Sequence, residues 1–137
     1  MSSQRTLVLL KPDAVRRGLV GRLIDRYESR GLTIVALEQR TIDEAEADRH
    51  YAEHVERDFY PPLRAFVTSG PLVALVLEGD EAVEVVRGIN GATDGRKAAP
   101  GTIRGDYSLS NRENLVHGSD SPESADREIA IWFPDLG

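Results

Sequence analysis

The chain has 137 residues, 40% apolar and 29% charged, a length and balance that suit one domain over residues 1–137 with an ordinary core. Its net charge of −6 at pH 7 argues against a nucleic-acid coat or an anionic membrane surface as partner, since both need basic footprints. With no cysteine, disulfides, thiolate metal centres and a cysteine nucleophile are excluded.

The N-terminal apolar run is only Leu7 to Leu10, too short for a signal peptide, and no stretch approaches the ~20 residues a membrane span needs. The expected compartment is the cytoplasm. Thr6 to Leu10 reads as a buried strand, stopped by Lys11-Pro12-Asp13, with Pro12 suited to a first helical turn. Leu19, Val20, Leu23, Ile24 and Tyr27 recur at helical spacing up to a stop at Arg30-Gly31, and Leu32 to Leu37 is a second strand. Asp43 and Glu46 form a capping-box pair that opens a polar helix expected to run through His54. Leu63, Phe66 and Val67 mark a further helix, ended by Gly70-Pro71, and Leu72 to Leu77 a third buried strand. Asp80 is expected to cap a helix carrying Val83, Val86 and Ile89.

Residues 90 to 115 have no clear period, and so long a loop in a compact domain tends to be functional or disordered. Val116 and His117 belong to a short last strand. Ser121-Pro122-Glu123 then opens a helix lined by Ala125, Ile129 and Trp132. Strands interleaved with helices of this length point to an α+β sandwich, one sheet with helices on its face. Met1 to Gln4 and Pro134 to Gly137 carry no motif.

Neither a P-loop nor a glycine-rich dinucleotide fingerprint occurs, so any phosphate chemistry falls to side chains. Arg87, Arg96, Lys97 and Arg104 face one acid, Asp94, in a glycine-rich stretch: either a solvated basic loop or an anion site. His50-Tyr51-Ala52-Glu53-His54 spells H-x-x-E-H, which reads either as a zinc pair on one helix face or as two surface histidines. His117 sits among small polar residues at a helix entry that favours anions, and an imidazole is largely neutral at pH 7 and nucleophilic. Ser119 and Asp120 adjoin it too closely to form a hydrolase triad, and no nucleophile elbow is present.

The blocks T-L-V-L-L-K-P-D-A-V (6–15), G-A-T (91–93), P-G-T-I-R-G-D (100–106) and N-L-V-H-G-S-D-S (114–121) together resemble the nucleoside diphosphate kinases, in order and across almost the whole chain. The resemblance implies a ferredoxin-like βαββαβ fold with a four-stranded antiparallel sheet, assembled as a homohexamer or, in some bacteria, a homotetramer. It implies ping-pong phosphoryl transfer between nucleoside tri- and diphosphates, typically from ATP, with Mg²⁺ carried on the nucleotide phosphates. By position, His117 would be phosphorylated, Glu128 would accept from its other ring nitrogen, and Ser119 would support that pair. Lys11, Tyr51, Arg87, Thr93 and Arg104 would hold phosphates, Lys11 and Asn114 the ribose hydroxyls, and Phe59 would lie against the base. No membrane and no obligate nucleic acid enter as partners. A nucleotide sensor with the same fold and a zinc hydrolase built on His50 and His54 are the competing readings.

Two positions depart from the family's pattern. Gly95 stands where many members carry proline, and a lost proline would cost ~0.4–1 kcal/mol and leave loop and assembly looser than in relatives. Glu113 stands where a non-acidic residue is common, and its carboxylate would weaken nucleotide affinity slightly.

Overall fold

The computed structural model describes residues 3–136; Met1, Ser2 and Gly137, to which the sequence assigns no motif, lie outside the described residues. In chain order the elements are β1 (Ser3–Leu10), α1 (Pro12–Arg16), α2 (Val20–Ser29), β2 (Thr33–Arg40), α3 (Glu44–His50) and α4 (Tyr60–Val67). There follow β3 (Leu72–Asp80), α5 (Ala82–Asn90), α6 (Ile103–Tyr107), β4 (Val116–Gly118) and α7 (Pro122–Trp132). The strands form one antiparallel sheet in the order β2-β3-β1-β4, the ferredoxin-like arrangement.

Both central strands are apolar at successive positions because both faces of the sheet are covered. Val8, Leu10, Val73, Leu75 and Leu77 pack with Leu23, Tyr27, Ala82 and Val86 on the α2–α5 side. Leu7, Leu9, Leu72, Ala74 and Val76 pack with Ala47, Tyr60, Val67 and Trp132 on the other. The period of two that splits Leu7 and Leu9 from Val8 and Leu10 thus builds two cores. Sequence periodicity indicated helices on one face; α3, α4 and α7 add the second layer. No helix among the described residues is long and apolar enough to cross a membrane.

Three local expectations change. The Asp43–Glu46 capping box is present, but α3 ends at His50 and does not reach His54. Arg127 donates to the carbonyls of Arg49 and His50 at 3.3 Å, occupying acceptors that a longer helix would use. Asp80 does not cap α5. It is still paired to Ser3 in the sheet; the chain turns at Glu81 (φ 52°), and Gln4 Oε1 accepts from the Val83 N–H instead. Gln4, which belongs to no motif, therefore supplies the cap. Finally, the aperiodic stretch contains α6, five residues long and capped by Thr102 Oγ1 accepting from the Gly105 N–H. One and a half turns are too few to show a period.

Candidate active site

His117 lies in the middle of β4, opposite Leu9 of β1. Its neighbour Val116 is in the α2–α5 core, so strand alternation sends the imidazole to the face covered by α3 and α7. There its Nε2 lies 2.9 Å from Glu128 Oε1, on the second turn of α7. Ser119 Oγ donates to the same carboxylate oxygen at 2.7 Å and accepts from the Leu7 N–H at 3.3 Å. A continuous line of hydrogen bonds thus ties the ring to the central strand. Glu128 and Ser119 are buried, whereas the His117 side chain keeps 20% of its surface open.

The open side faces a cleft of about 660 Å³, within the range of small-molecule sites. Lys11, Tyr51, Phe59, Arg87, Thr93, Arg104, Asn114, His117 and Glu128 all line it. Of the residues named from sequence only Ser119 does not, standing behind Glu128. Elements far apart in the chain converge here. Lys11 follows β1, Tyr51 follows α3, Arg87 is on α5, Arg104 on α6, and Asn114 precedes β4.

The three cations differ in setting. Lys11 is buried, and its Nζ donates to Asn114 Oδ1 at 2.9 Å. Burial, then the charge of Arg104, pull the ammonium down to about 8, with Asp13 opposing. Arg104 is buried too, and three of its N–H groups are spent on backbone carbonyls: Nε on Asn114, Nη1 on Gly91 and Nη2 on Val116. Two of its five N–H groups remain for an anion. Arg87 is exposed at the cleft. Asn114 is held on its other side by Nδ2 donating to the carbonyls of Thr93 and Asn111. Burial, then Glu128, raise the Tyr51 phenol, keeping it a protonated donor. Phe59 is half exposed, 5.5 Å from the His54 ring, leaving a flat apolar face free at the rim.

The H-x-x-E-H motif does not make a zinc pair. His50 is buried and its Nδ1 accepts from Trp132 Nε1 at 3.0 Å, while its ring meets His117 edge-to-face at 4.6 Å. Burial, then the neighbouring His117, push His50 well below the ordinary histidine range, so it stays neutral. His54 stands apart at the cleft wall against Phe59. The surface-histidine reading is equally wrong for His50. Its signal was present but unread: Trp132, an indole donor on the apolar side of α7, needs a buried acceptor. Arg127 also lines the cleft without any motif having marked it, as does Asp120, which the N-L-V-H-G-S-D-S block contains but to which it assigned no role.

Of the basic run, Arg96 pairs with Asp94 at 2.8 Å on the surface. Glu113 does not line the cleft; it faces Arg16 at 3.7 Å. Gly95 is not a loose point. It is buried, its N–H donates to Ser110 O at 3.1 Å, and an added Cβ would fall 2.5 Å from Ser108 O.

A family model described as nucleoside diphosphate kinase matches residues 4–136. The chain belongs to the nucleoside diphosphate kinase family. It is 81% identical to a nucleoside diphosphate kinase of a Nocardioides species, over 98% of this chain and 99% of the relative. Its fold superposes on a halophilic nucleoside diphosphate kinase of Halobacterium salinarum, solved in complex with CDP. There the TM-score is 0.95 and the identity 48%, covering 98% of this chain and 90% of that one. The Aquifex aeolicus nucleoside diphosphate kinase gives a TM-score of 0.94 at 42% identity, covering 98% of both.

Proposed function

We propose that this chain is a single nucleoside diphosphate kinase domain that moves the γ-phosphate of a nucleoside triphosphate, typically ATP, onto a nucleoside diphosphate through phospho-His117. The observation that carries it is the Glu128 contact. With Nε2–H donated to the carboxylate, the lone pair is at Nδ1. In the first half-reaction Nδ1 attacks the γ-phosphorus, the bond to the bridging oxygen breaks, and a nucleoside diphosphate leaves. In the second, the terminal phosphate oxygen of another diphosphate attacks the same phosphorus and the N–P bond breaks. The ring is cationic while phosphorylated, and Glu128 offsets that charge.

Such transfer needs positioning and charge stabilisation above all. Lys11, Arg87, the spare N–H groups of Arg104, Tyr51 and Thr93 supply these to the phosphates; Lys11 and Asn114 take the ribose hydroxyls. Phe59 stacks on the base, worth roughly 1–3 kcal/mol with little regard to which base it is.

Mg²⁺ is the implied cofactor. Among the described residues the one cluster with metal-ligand spacing is His50, His117 and Glu128, two nitrogens and a carboxylate already bonded to Ser119. Magnesium wants six oxygens, so it fits as a companion of the nucleotide phosphates, neutralising them, and not as a resident ion. The same reading makes the protein a cytoplasmic homo-oligomer, a homohexamer in preference to a homotetramer, which a mass measurement in solution checks.

The deciding experiment is incorporation of labelled phosphate from ATP. The wild type becomes labelled in an acid-labile, base-stable form and passes the label to dTDP, whereas His117→Ala takes up none. Full labelling of His117→Ala overturns the assignment, and binding without turnover in the wild type would make the chain a sensor.

A further inference from the structure

Leu115, two residues before His117, is fully buried and sits at φ 75°, where a branched side chain crowds its own backbone. The Val116 N–H donates to Asn114 O at 2.8 Å, closing a tight three-residue turn of the strained kind. Strain like this persists only when surrounding contacts hold it. Two of those contacts grip Leu115 itself. Its carbonyl accepts from the Lys11 N–H at 2.8 Å, and its N–H donates to Asp13 Oδ2 at 3.1 Å. Arg104 holds the carbonyls on either side, those of Asn114 and Val116.

Among the described residues, Asp13 is thus the one side chain hydrogen-bonded to the strained residue. It is buried in the first turn of α1 beside Lys11, and its other oxygen Oδ1 has no hydrogen-bond partner among the described residues. Burial, opposed by Lys11, raises its carboxyl. Such a group would be replaced by something apolar if packing were its only duty. What it holds is the junction between Asn114, which faces Lys11, and the strand that carries His117. Relaxing Leu115 to negative φ would rotate the peptide groups on both sides, and with them the amide of Asn114 and the start of β4.

We propose that Asp13 is a positioning residue for phosphoryl transfer: its carboxylate keeps the Leu115 turn in its strained form and so sets His117 and Asn114 against Lys11. It acts as a hydrogen-bond acceptor for the Leu115 N–H. The proposal rests on the His117 phosphotransfer reading, and an inactive wild type would refute that reading first.

The test compares Asp13→Ala and Asp13→Asn with Val67→Ala, a core truncation on the sheet face away from the Leu115 turn. It measures the single-turnover rate of His117 phosphorylation, nucleotide affinity, melting temperature, and hydrogen exchange of the Leu115 amide. Asp13→Ala should phosphorylate at least tenfold more slowly, with affinity changed less, and the Leu115 amide should exchange faster. Asp13→Asn, which keeps an acceptor oxygen, should recover to within about threefold of the wild type. Val67→Ala should stay within about twofold even though it melts earlier. A rate for Asp13→Ala within twofold of the wild type, an unchanged Leu115 amide, or Asp13→Asn as slow as Asp13→Ala each overturns the proposal. Should Asp13→Ala not fold, Asp13→Glu, with its oxygen displaced by one methylene, replaces it under the same outcomes.

Discussion

Gly95→Pro pits two physical effects against each other. Proline restricts the unfolded chain and so stabilises by ~0.4–1 kcal/mol where the native backbone accepts it. Here the native contacts oppose it. The N–H to Ser110 O bond is lost, at about 0.5–1.5 kcal/mol. The ring's Cβ falls 2.5 Å from both Ser108 O and Ser108 Oγ, an overlap that the surroundings relieve only by shifting, at roughly 1–3 kcal/mol. The balance is a loss of about 2 kcal/mol, which for a chain of this size lowers the melting temperature by about 6 °C. Calorimetry at one fixed protein concentration reads it, since subunit association makes the midpoint concentration-dependent. Gly95→Ala keeps the N–H and isolates the steric part, so it should fall between the proline variant and the wild type. A melting temperature for Gly95→Pro equal to or above that of the wild type would refute the reasoning and restore the view of Gly95 as a loose point in the loop.

Glu128→Ala should slow His117 phosphorylation by roughly 10- to 100-fold, the worth of a charge-assisted hydrogen bond, while Glu128→Gln, whose carbonyl can still accept, should lose much less; equal losses in stopped-flow labelling would contradict the bond to Nε2. Lys11 is a base whose proton is released in the folded state at about 8, so kcat/KM should fall as pH rises through about 8. Bound phosphates favour the ammonium, which should move the corresponding limb of kcat to higher pH. Because burial disfavours the ammonium in the folded state, this group alone should make the stability of the nucleotide-free protein rise with pH from about 8 to about 10.5 and level off above, readable by denaturant titration across that window. Trp132→Phe removes the donor to His50 Nδ1 and should cost about 1–3 kcal/mol in denaturant unfolding without creating a zinc site, so stoichiometric zinc by metal analysis would be the surprise.

Much of this fold shows in the sequence because its strands and longer helices carry their own periods. The split between Leu7 and Val8, or the capped Ser121-Pro122-Glu123 entry to α7, needs no distant residue to be understood. The misses share a cause. α3 stops early because Arg127 competes for its last carbonyls, and α5 is capped by Gln4 from 79 positions away, so neither is visible in the local window. Six of the ten site residues, Lys11, Thr93, Arg104, Asn114, His117 and Ser119, lie in the ordered motif blocks, and Tyr51, Phe59, Arg87 and Glu128 came from the wider resemblance; local surroundings alone marked His117 and left the basic run undecided. His50 and Asp13 escaped because their meaning lies in partners 82 and 102 positions off, Trp132 and Leu115.

The hydrogen-bond line from His117 through Glu128 and Ser119 to the Leu7 backbone has a consequence for a two-stroke reaction. One imidazole must be attacker in the first stroke and leaving group in the second, with different nucleotides in front of it each time. Because the ring is moored to the sheet's central strand, its orientation was settled when the chain folded and is not re-established with each substrate. Both strokes then meet the same geometry, so forward and reverse transfer can run through the same doorway at matched cost.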